Sequence, residues 1–310
     1  MPFADSALPR LQPPTAGQPH RVAEGVRLVL ARNASPMTHW GTNTWLLGEG
    51  AVTVIDPGPA DPAHVQAILA ALGPSERVAR ILVTHAHLDH SPGARLLAEA
   101  TGAPILAQGD ARSGRSERMA ALAGMPIGGG EGVDTAFVPD DLLKDDDEIE
   151  VAGQPLRALH TPGHFGNHMC FLWGSALFSG DHVMGWAPSL VSPPDGDLTD
   201  FMESLRRLRK LGSITLFPGH GAPVAEGQAR IGELQAHRMR RESAIRAAVA
   251  GGADTVASVT RTVYVDVDAA LLPAAERNVL AHLIDLEARA LVQFDGPIRP
   301  DARLRPAATG

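Results

Sequence analysis

The sequence predicts an α/β protein in which helices pack on sheets, and three features of the 310-residue chain indicate this class. Short apolar runs typical of strands alternate with segments whose apolar residues recur three and four positions apart. This alternation occurs on both sides of residues 108–145, which suggests two similar halves. With 44% apolar and 20% charged residues, the chain can bury a large core and is not disordered as a whole.

The first half is predicted to contain five strands and two helices. The strands are expected over residues 26–31, 43–47, 51–55, 80–83 and 104–107, and the helices over residues 61–72 and 91–100. Gly48, Glu49 and Gly50 form the predicted hairpin turn between the second and third strands. Gly73 and Pro74 end the first helix, because glycine favours helix ends and proline cannot continue a helix.

The second half repeats this pattern. Strands are expected over residues 149–151, 155–159, 169–173, 176–178 and 214–217, with a helix over residues 199–211. The insertion between the halves, residues 108–145, is predicted to carry a helical patch at 116–122, and the sequence indicates no role for it. After residue 225 the pattern becomes helical, with helices predicted over residues 230–250 and 274–290.

These patterns divide the chain into four predicted regions. Residues 1–25 are expected to form an N-terminal arm, because they are rich in Pro and Ala and show neither a helical nor a strand period. Residues 26–224 would form the main domain, and residues 225–300 a small helical domain. Residues 301–310 are expected to be a frayed tail.

Composition excludes several classes of protein. The net charge of −8 at pH 7 argues against a chain-wide affinity for nucleic-acid phosphates. Cys170 is the only cysteine, so no intrachain disulfide and no thiolate metal cluster can form. The sequence has neither a signal-peptide pattern nor an apolar stretch of the roughly 18 residues that would span a bilayer. It therefore predicts a cytoplasmic protein without a membrane partner, and it leaves the oligomeric state open.

Eight of the thirteen histidines lie between residues 85 and 220, and three of them belong to one motif. This motif, His85-Ala86-His87-Leu88-Asp89-His90, directly follows the predicted strand 80–83. A loop that leaves a strand end can direct His85 and His87 to one point and Asp89 and His90 to a neighbouring point. Imidazoles and carboxylates bind zinc. Two adjacent ligand sets suit a pair of metals about 3.5–4 Å apart.

Further candidate ligands follow three predicted strands of the second half. His164 lies in Thr-Pro-Gly-His, Asp181 in Gly-Asp-His and His220 in Pro-Gly-His-Gly. The flanking Gly and Pro residues allow the sharp turns that would aim these side chains at the edge of a sheet. Asp181 is the natural bridge between two cations, because a carboxylate has two oxygens to share.

With these residues, the sequence resembles the metallo-β-lactamase-fold hydrolase superfamily over roughly residues 26–222. The match is His85-x-His87-x-Asp89-His90 followed by His164, Asp181 and His220 in the expected order. The resemblance implies a four-layer αβ/βα sandwich. It also implies two zinc ions per chain, with Mn or Fe as alternatives.

The same resemblance implies a role for each of the candidate ligands. One metal would take His85, His87 and His164. The second would take Asp89, His90 and His220, with Asp181 as the bridge. Asp56, in Val-Ile-Asp-Pro-Gly, would support the histidine loop from outside the ligand set.

The C-terminal region carries a second resemblance. Residues 237–248, the segment around residues 255–257 and residues 271–283 look like the small winged-helix-like domain of the β-lactamase-like-2 group. That group includes single-stranded RNA endonucleases and many uncharacterised bacterial hydrolases. The resemblance implies that residues 225–300 form a domain of this type.

Five other residues are candidates for supporting or substrate-binding roles. His160 and His182 adjoin proposed ligands and His168 follows His164 by four positions, so these three are expected to orient ligands or handle protons. Trp186 lies in a loop after Asp181 that would border the open side of the metals and form an apolar substrate wall. Phe165 replaces the Thr common in such proteins and would add apolar substrate-binding surface.

The favoured hypothesis is a dinuclear zinc hydrolase of a small ester, thioester, lactone or lactam. Two metals lower the pKa of a shared water toward about 7, and the resulting metal-bound hydroxide would attack the substrate. Asp89 is the candidate catalytic residue that orients this nucleophile and manages its proton. The partner is thus a small-molecule substrate.

Two alternatives remain. A metal-dependent endoribonuclease acting on single-stranded RNA ranks second, because the acidic chain and the nearly balanced charges of its C-terminal region do not favour RNA. An iron-dependent redox or binding protein ranks last. Diiron reductases of this fold usually carry Glu where this chain has His87.

Overall fold

The fold described here is that of a computed structural model, which describes residues 12–307. Its first half forms a seven-stranded sheet in the order of the chain. The elements of this half are β1 (Pro19–Ala23), β2 (Val26–Leu30), β3 (Asn43–Leu47), β4 (Ala51–Ile55), α1 (Pro62–Ala70), β5 (Arg77–Leu82), α2 (Pro92–Thr101), β6 (Ile105–Ala107), α3 (Glu117–Leu122) and β7 (Asp141–Leu142). Strands β1 to β4 pair antiparallel, and β4 to β7 pair parallel through helical or long connections.

The second half forms a five-stranded sheet with the order β12-β11-β10-β9-β8. Its elements are β8 (Glu148–Val151), β9 (Gln154–His160), β10 (Met169–Trp173), β11 (Ala176–Gly180), α4 (Leu198–Leu208) and β12 (Thr215–Pro218). Strands β8 to β11 form an antiparallel meander, and α4 carries the chain across to β12, which lies parallel to β11.

The two sheets pack face to face, with helices on their outer faces. Between the sheets, the ring of Trp45 makes edge contacts with Phe178 and Phe217, at centroid distances of 5.9 and 5.3 Å. A second core joins the first sheet to α1 and α2, and a third joins the second sheet to α4. The predicted α/β class and the four-layer order of helix, sheet, sheet and helix are therefore confirmed.

The C-terminal region has a hydrophobic core of its own. It contains α5 (Gly227–Ala250), α6 (Val256–Val263), a 3₁₀ turn (Ala269–Leu271), α7 (Leu272–Ala288) and the hairpin β13 (Val292–Phe294) and β14 (Leu304–Pro306). Met119 and Leu122 of α3 belong to this core, which gives the insertion a structural partner. Ile231 and Leu234, near the start of α5, instead pack on the second sheet. Helix α5 thus belongs to both cores, and the predicted domain boundary near residue 225 stays a prediction.

Two segments expected to lack regular structure contain strands. Residues 19–23 of the expected arm form β1, whose side chains are mostly exposed and which is held by pairing with β2. Residues 304–306 of the expected tail form β14, which pairs with β13. Both predictions were wrong at these positions, because short edge strands gain backbone hydrogen bonds without an apolar period along their own sequence. Residues 1–11 and 308–310 lie outside the described residues.

Between residues 12 and 307, no helix combines the length and the apolar character needed to cross a bilayer.

Candidate metal centre

The histidine motif lies in the loop between β5 and α2. Asp56, at the end of β4, holds the start of this loop, because its carboxylate accepts hydrogen bonds from the backbone N–H and the hydroxyl of Thr84, both at 2.7 Å. The loop ends at Ser91, where α2 begins. Gly93 in the first turn of α2 lies so close to the carbonyl oxygen of Pro57 that a Cβ atom would approach it to 2.5 Å. This close packing fixes the loop between two rigid elements.

The other three candidate ligands come from the second sheet. Asp181 directly follows β11, His220 follows β12 after one glycine, and His164 lies in the turn between β9 and β10. The two sheets meet at this edge, where the Asn43 N–H donates a 2.8 Å hydrogen bond to the Gly219 carbonyl. Strand ends from both halves of the chain therefore converge on one place.

The first group of ligand atoms consists of three imidazoles. His85 Nε2 lies 2.8 Å from His87 Nδ1, and His164 Nε2 lies 3.2 Å from the same His87 atom. His85 and His164 are buried and His87 is partly buried. Their ligand atoms are all within 4.8 Å of one another, so this group could hold a metal ion.

The second group consists of one carboxylate and two imidazoles. His220 Nε2 lies 3.1 Å from Asp89 Oδ2 and 3.2 Å from His90 Nε2. His90 Nε2 lies 3.5 Å from Asp89 Oδ2. These three residues form another set whose ligand atoms could hold an ion.

Asp181 lies between the two groups. Its Oδ1 is 3.5 Å from His90 Nε2, and its Oδ2 is 3.3 Å from His220 Nε2 and 3.9 Å from His164 Nε2. One carboxylate therefore faces imidazoles of both groups, as a bridging ligand must.

The residues present fit a pair of cations. Asp181 Oδ1 is buried and has no hydrogen-bond partner among the described residues, which would be unfavourable for a carboxylate oxygen without a positive charge beside it. A Cβ atom at Gly219 would clash with this oxygen and lie 2.6 Å from His90 Cε1, so the glycine keeps the space open. Five imidazoles and two carboxylates are donors suited to zinc, manganese or iron rather than to calcium.

The electrostatics divide the imidazoles into neutral and charged ones. Burial and the neighbouring His164 lower the pKa of His87 to about 3, so His87 is neutral, as a metal ligand must be. Burial also opposes charge on His220, but Asp181 and Asp89 outweigh it and raise the pKa of His220 to about 9. Without a cation, a proton on this imidazole balances the carboxylates. A bound cation would replace that proton.

The second ring nitrogen of four imidazoles has an orienting partner. His90 Nδ1 is 2.9 Å from Asp56 Oδ2, and His85 Nδ1 is 2.9 Å from the Thr84 hydroxyl. The partners of His164 and His220 are the backbone carbonyls of Leu190, at 2.7 Å, and Gly41, at 3.1 Å. Because each of these acceptors takes a hydrogen bond from Nδ1, Nε2 is the ring nitrogen that faces the cluster and would bind a cation once its proton is displaced.

The supporting histidines predicted from the sequence lie in different surroundings. The ring of His168 packs 5.2 Å from that of His85, and its Nδ1 bonds the Thr161 hydroxyl. The His182 ring lies 5.6 Å from that of His168 and is tilted against the Phe201 ring at 4.4 Å, and neither of its nitrogens hydrogen-bonds a described residue. His160 hydrogen-bonds the Gly166 carbonyl, two residues after His164, at 3.0 Å, and its predicted support of a ligand stays a prediction.

The two predicted substrate contacts also differ. Phe165 is fully buried and packs against the His87 ring at 4.8 Å. The prediction that it binds substrate is therefore corrected: its ring supports the ligand loop from inside the core. Trp186 is partly exposed and stacks on His39 at 4.8 Å, beside Gly221 and thus next to His220.

Several contributors were missed from the sequence. The Leu190 and Gly41 carbonyls have no side-chain signal, because every residue carries the same backbone group. Asp134, in the insertion, is buried, accepts a 2.7 Å bond from the Ser91 hydroxyl and donates its N–H to the Ala86 carbonyl. An isolated acid in a glycine-rich segment gives no pattern that would reveal this contact.

Comparisons with known proteins agree with this geometry. The metallo-beta-lactamase superfamily matches residues 37–220, and the beta-lactamase associated winged helix domain matches residues 255–298. The Beta-lactamase-like protein 2 homolog of Caenorhabditis elegans is 30% identical over 266 residues, which cover 84% of this chain and 83% of that protein.

Two further similarities concern a fungal protein and a solved structure. The Atrochrysone carboxyl ACP thioesterase of Aspergillus fumigatus is 30% identical over 69% of this chain, and the match spans 61% of the fungal protein's length. The crystal structure of a beta-lactamase domain protein from Burkholderia ambifaria superposes with a TM-score of 0.76 at 24% identity, covering 99% of this chain and 96% of that one. From its ligand cluster, its layered fold and these matches, we conclude that this chain belongs to the metallo-beta-lactamase superfamily and is a metal-dependent hydrolase.

Proposed function

We propose that the protein is a dinuclear zinc hydrolase that cleaves a small ester, thioester, lactone or lactam. The observation that carries this proposal is the position of Asp181, whose carboxylate faces imidazoles of both ligand groups. A single-metal site would not need a shared carboxylate between two complete sets of three ligands.

In this proposal, His85, His87 and His164 hold one ion, and Asp89, His90 and His220 hold the other, with Asp181 shared between them. When bound, such ions supply an acidified water and stabilise negative charge that develops on a carbonyl oxygen. Zinc is the metal proposed because tetrahedral sites built from imidazoles and carboxylates suit it, and manganese or iron are the alternatives to be tested.

Asp89 is the proposed catalytic residue. Its side chain is 28% exposed, whereas those of His90 and His220 are almost fully buried. Burial works against charge on Asp89, but His90 and His220 hold its pKa well below the ordinary value, so the carboxylate stays ionised. An ionised carboxylate on a partly exposed side chain can accept a hydrogen bond from the attacking water and so orient it, whereas its lowered pKa makes it a weak acceptor of the proton itself.

The rim of the cluster favours an organic acyl substrate. Leu88, between the candidate ligands His87 and Asp89, is 52% exposed. His39 lies stacked between Trp40 and Trp186 beside His220. These apolar surfaces suit the hydrocarbon part of a small ester or thioester better than a phosphodiester backbone. Among the proposed substrate classes, a thioester is also supported by the Aspergillus fumigatus relative, which is named as a thioesterase.

The test combines metal analysis with a substrate panel. The stripped protein is reloaded with zinc, the ions bound per chain are counted, and hydrolysis of matched esters, thioesters, lactones, lactams and unstructured RNA is measured. We expect two ions per chain and turnover of a member of the first four classes. His164→Ala should lose one ion, and Asp181→Asn should weaken both. His20→Ala, which removes a partly exposed imidazole of β1, should match the parent.

Activity of stripped protein equal to that of loaded protein would contradict the proposal, as would a single ion in the parent. Cleavage of RNA alone, lost in His87→Ala, would instead establish the endoribonuclease alternative.

A further inference from the structure

The orienting partner of His164 lies in an irregular loop. This loop, residues 182–197, runs from β11 to α4, and the Leu190 carbonyl in its middle accepts the 2.7 Å hydrogen bond from His164 Nδ1. A loop carbonyl can hold an imidazole only if the loop itself is held. The orientation of His164 therefore depends on what fixes residues 189–192.

Both residues that flank Leu190 are held by the C-terminal helices. The Ser189 carbonyl accepts a hydrogen bond from the Arg238 guanidinium of α5. On the other side, the Val191 N–H donates to Asn278 Oδ1 of α7 at 3.2 Å. Arg238 Nη1 donates to the same Asn278 oxygen at 3.0 Å, which joins the two anchors into one network.

Arg238 is an unusual residue for a purely structural contact. It is 3% exposed, and its guanidinium lies over the Phe201 ring at 5.0 Å. Among the described residues no carboxylate forms an ion pair with it, and its hydrogen bonds go to Ser189 and Asn278. Burying a cation without a counter-charge is unfavourable, so a neutral residue would stabilise the packing more if packing were its only role.

The other side of the His164 turn is braced as well. Gly163 lies directly on α4, where a Cβ atom would overlap the backbone of Phe201. The Asp197 N–H donates to the Gly163 carbonyl at 2.9 Å. The turn that carries His164 is packed against α4 and cannot move to follow the loop. A shift of residues 189–191 would therefore stretch or break the hydrogen bond between His164 Nδ1 and the Leu190 carbonyl.

We propose that Arg238 and Asn278 are positioning residues for the ligand His164, so that the C-terminal region completes the metal centre without touching a metal. This inference rests on the proposed function, in which His164 binds one of two ions. Loss of the orienting bond would let the imidazole rotate or change tautomer. Removing such an outer partner typically weakens metal binding by about 10–100-fold.

The test compares three variants of the full chain. Asn278→Leu removes the shared acceptor, Asn278→Asp keeps an acceptor oxygen, and Asp285→Ala removes a contact of α7 with Thr199 of α4 that does not involve the loop. Zinc affinity is measured by competition with a chromogenic chelator, and the ligand field by the absorbance of the cobalt-loaded protein. We expect Asn278→Leu to weaken one of the two ions by about 10–100-fold and to change the cobalt spectrum. Asn278→Asp and Asp285→Ala should retain the parent affinity.

A double variant shows whether the effect passes through His164. In the background of His164→Ala, Asn278→Leu should cause no additional loss of affinity. Additive losses would overturn the inference, as would an equal loss in Asp285→Ala or parent-like binding of both ions by Asn278→Leu.

If Asn278→Leu does not fold, Arg238→Lys serves in its place. Lysine keeps the charge but lacks the planar fork that bonds Ser189 and Asn278 together. Weakening of one ion is again expected, and parent-like affinity would overturn the inference. A parent protein that binds fewer than two ions would contradict the proposed function instead, so the two failures are distinguishable.

Discussion

At the scale of single residues, Asp56 shows how one buried side chain can organise a metal centre. Its carboxylate accepts three hydrogen bonds, two from Thr84 and one from His90, and lies in a left-handed turn with a φ of 51°. Asp56 thus fixes both the start of the histidine loop and the tautomer of a proposed ligand. The sequence predicted this support from the resemblance, and the contacts give it a geometry.

We predict that Asp56→Ala weakens zinc binding by about 10–100-fold, mainly at the ion held by His90. It should also lower the free energy of unfolding by about 1–3 kcal/mol, because buried donors of Thr84 and His90 lose their acceptor. Calorimetric zinc titration and urea unfolding measure the two effects. Asp61→Ala, which removes the cap of α1, is the control and should leave zinc affinity unchanged. Parent-like zinc affinity in Asp56→Ala would refute this role.

His64 gives a prediction for pH. Burial lowers the pKa of His64 from 6.5 to about 4, and its Nε2 bonds the Thr44 hydroxyl, which in turn donates to the Asp56 carbonyl. The folded protein therefore favours the neutral imidazole. Its contribution to stability is complete above about pH 6.5 and is lost as the pH falls from there through 4.

Between pH 7 and pH 4, protonation of His64 alone should lower the free energy of unfolding of the metal-free protein by up to about 3 kcal/mol. His64→Gln, which does not titrate, should show a smaller fall over the same range, although it starts from a lower stability. Urea unfolding at several pH values measures the difference. Parallel pH profiles for the two proteins would disprove the assignment.

At the scale of elements, the turns that follow strands decide whether the ligands meet. Strand β12 ends at Pro218, and Gly219 then places His220 so that its Nε2 lies 3.3 Å from Asp181 Oδ2. A side chain at position 219 would enter the space around Asp181 and His90. The glycine is needed here for close approach rather than for a positive φ.

We predict that Gly219→Ala weakens the binding of both ions and lowers the free energy of unfolding by about 1–3 kcal/mol through overpacking. The matched control is Gly212→Ala, shortly before β12, where a Cβ atom would meet nothing within 4 Å. Zinc competition and urea unfolding of both variants give the comparison. Equal behaviour of the two variants would show that the space at Gly219 is not required.

At the scale of the whole molecule, the insertion and the C-terminal region share one core. Met119 and Leu122 of α3 pack with α5, α6 and α7, while the start of α5 packs on the second sheet. The loop at residues 189–192 adds polar contacts between the same parts. These connections predict that the main domain and the C-terminal region unfold together.

Two probes test this coupling, because the single tyrosine, Tyr264, lies in the C-terminal core and the four tryptophans lie in the main domain. We expect fluorine NMR of fluorotyrosine at position 264 and tryptophan fluorescence to report one urea transition. Met119→Ala should lower the free energy of unfolding by about 2–5 kcal/mol. It should therefore shift the urea midpoints of both signals to the same lower concentration. Met239→Ala, at an exposed site, should shift neither. A shift in the tyrosine signal alone would show that the regions unfold independently.

The sequence by itself determined most of the layered fold and the set of seven candidate ligands. Apolar runs marked the strands, and the polar residues placed shortly after those runs, at Gly and Pro turns, were expected at the strand ends, where the two sheets meet. Short-range patterns suffice there, because each ligand is positioned by the strand that it follows. The same logic failed for β1 and β14, which are held by pairing and not by their own pattern.

Only the tertiary structure decided how the ligands are oriented. The carbonyls of Leu190 and Gly41 are chemically the same as every other carbonyl, and nothing local shows that imidazoles will reach them. Phe165 was expected to contribute to the substrate-binding surface but is buried, and Arg238 and Asn278 act from helices more than forty residues beyond the loop that they hold. Orientation depends on contacts between segments far apart in the chain, so it is specified by packing and not by any motif.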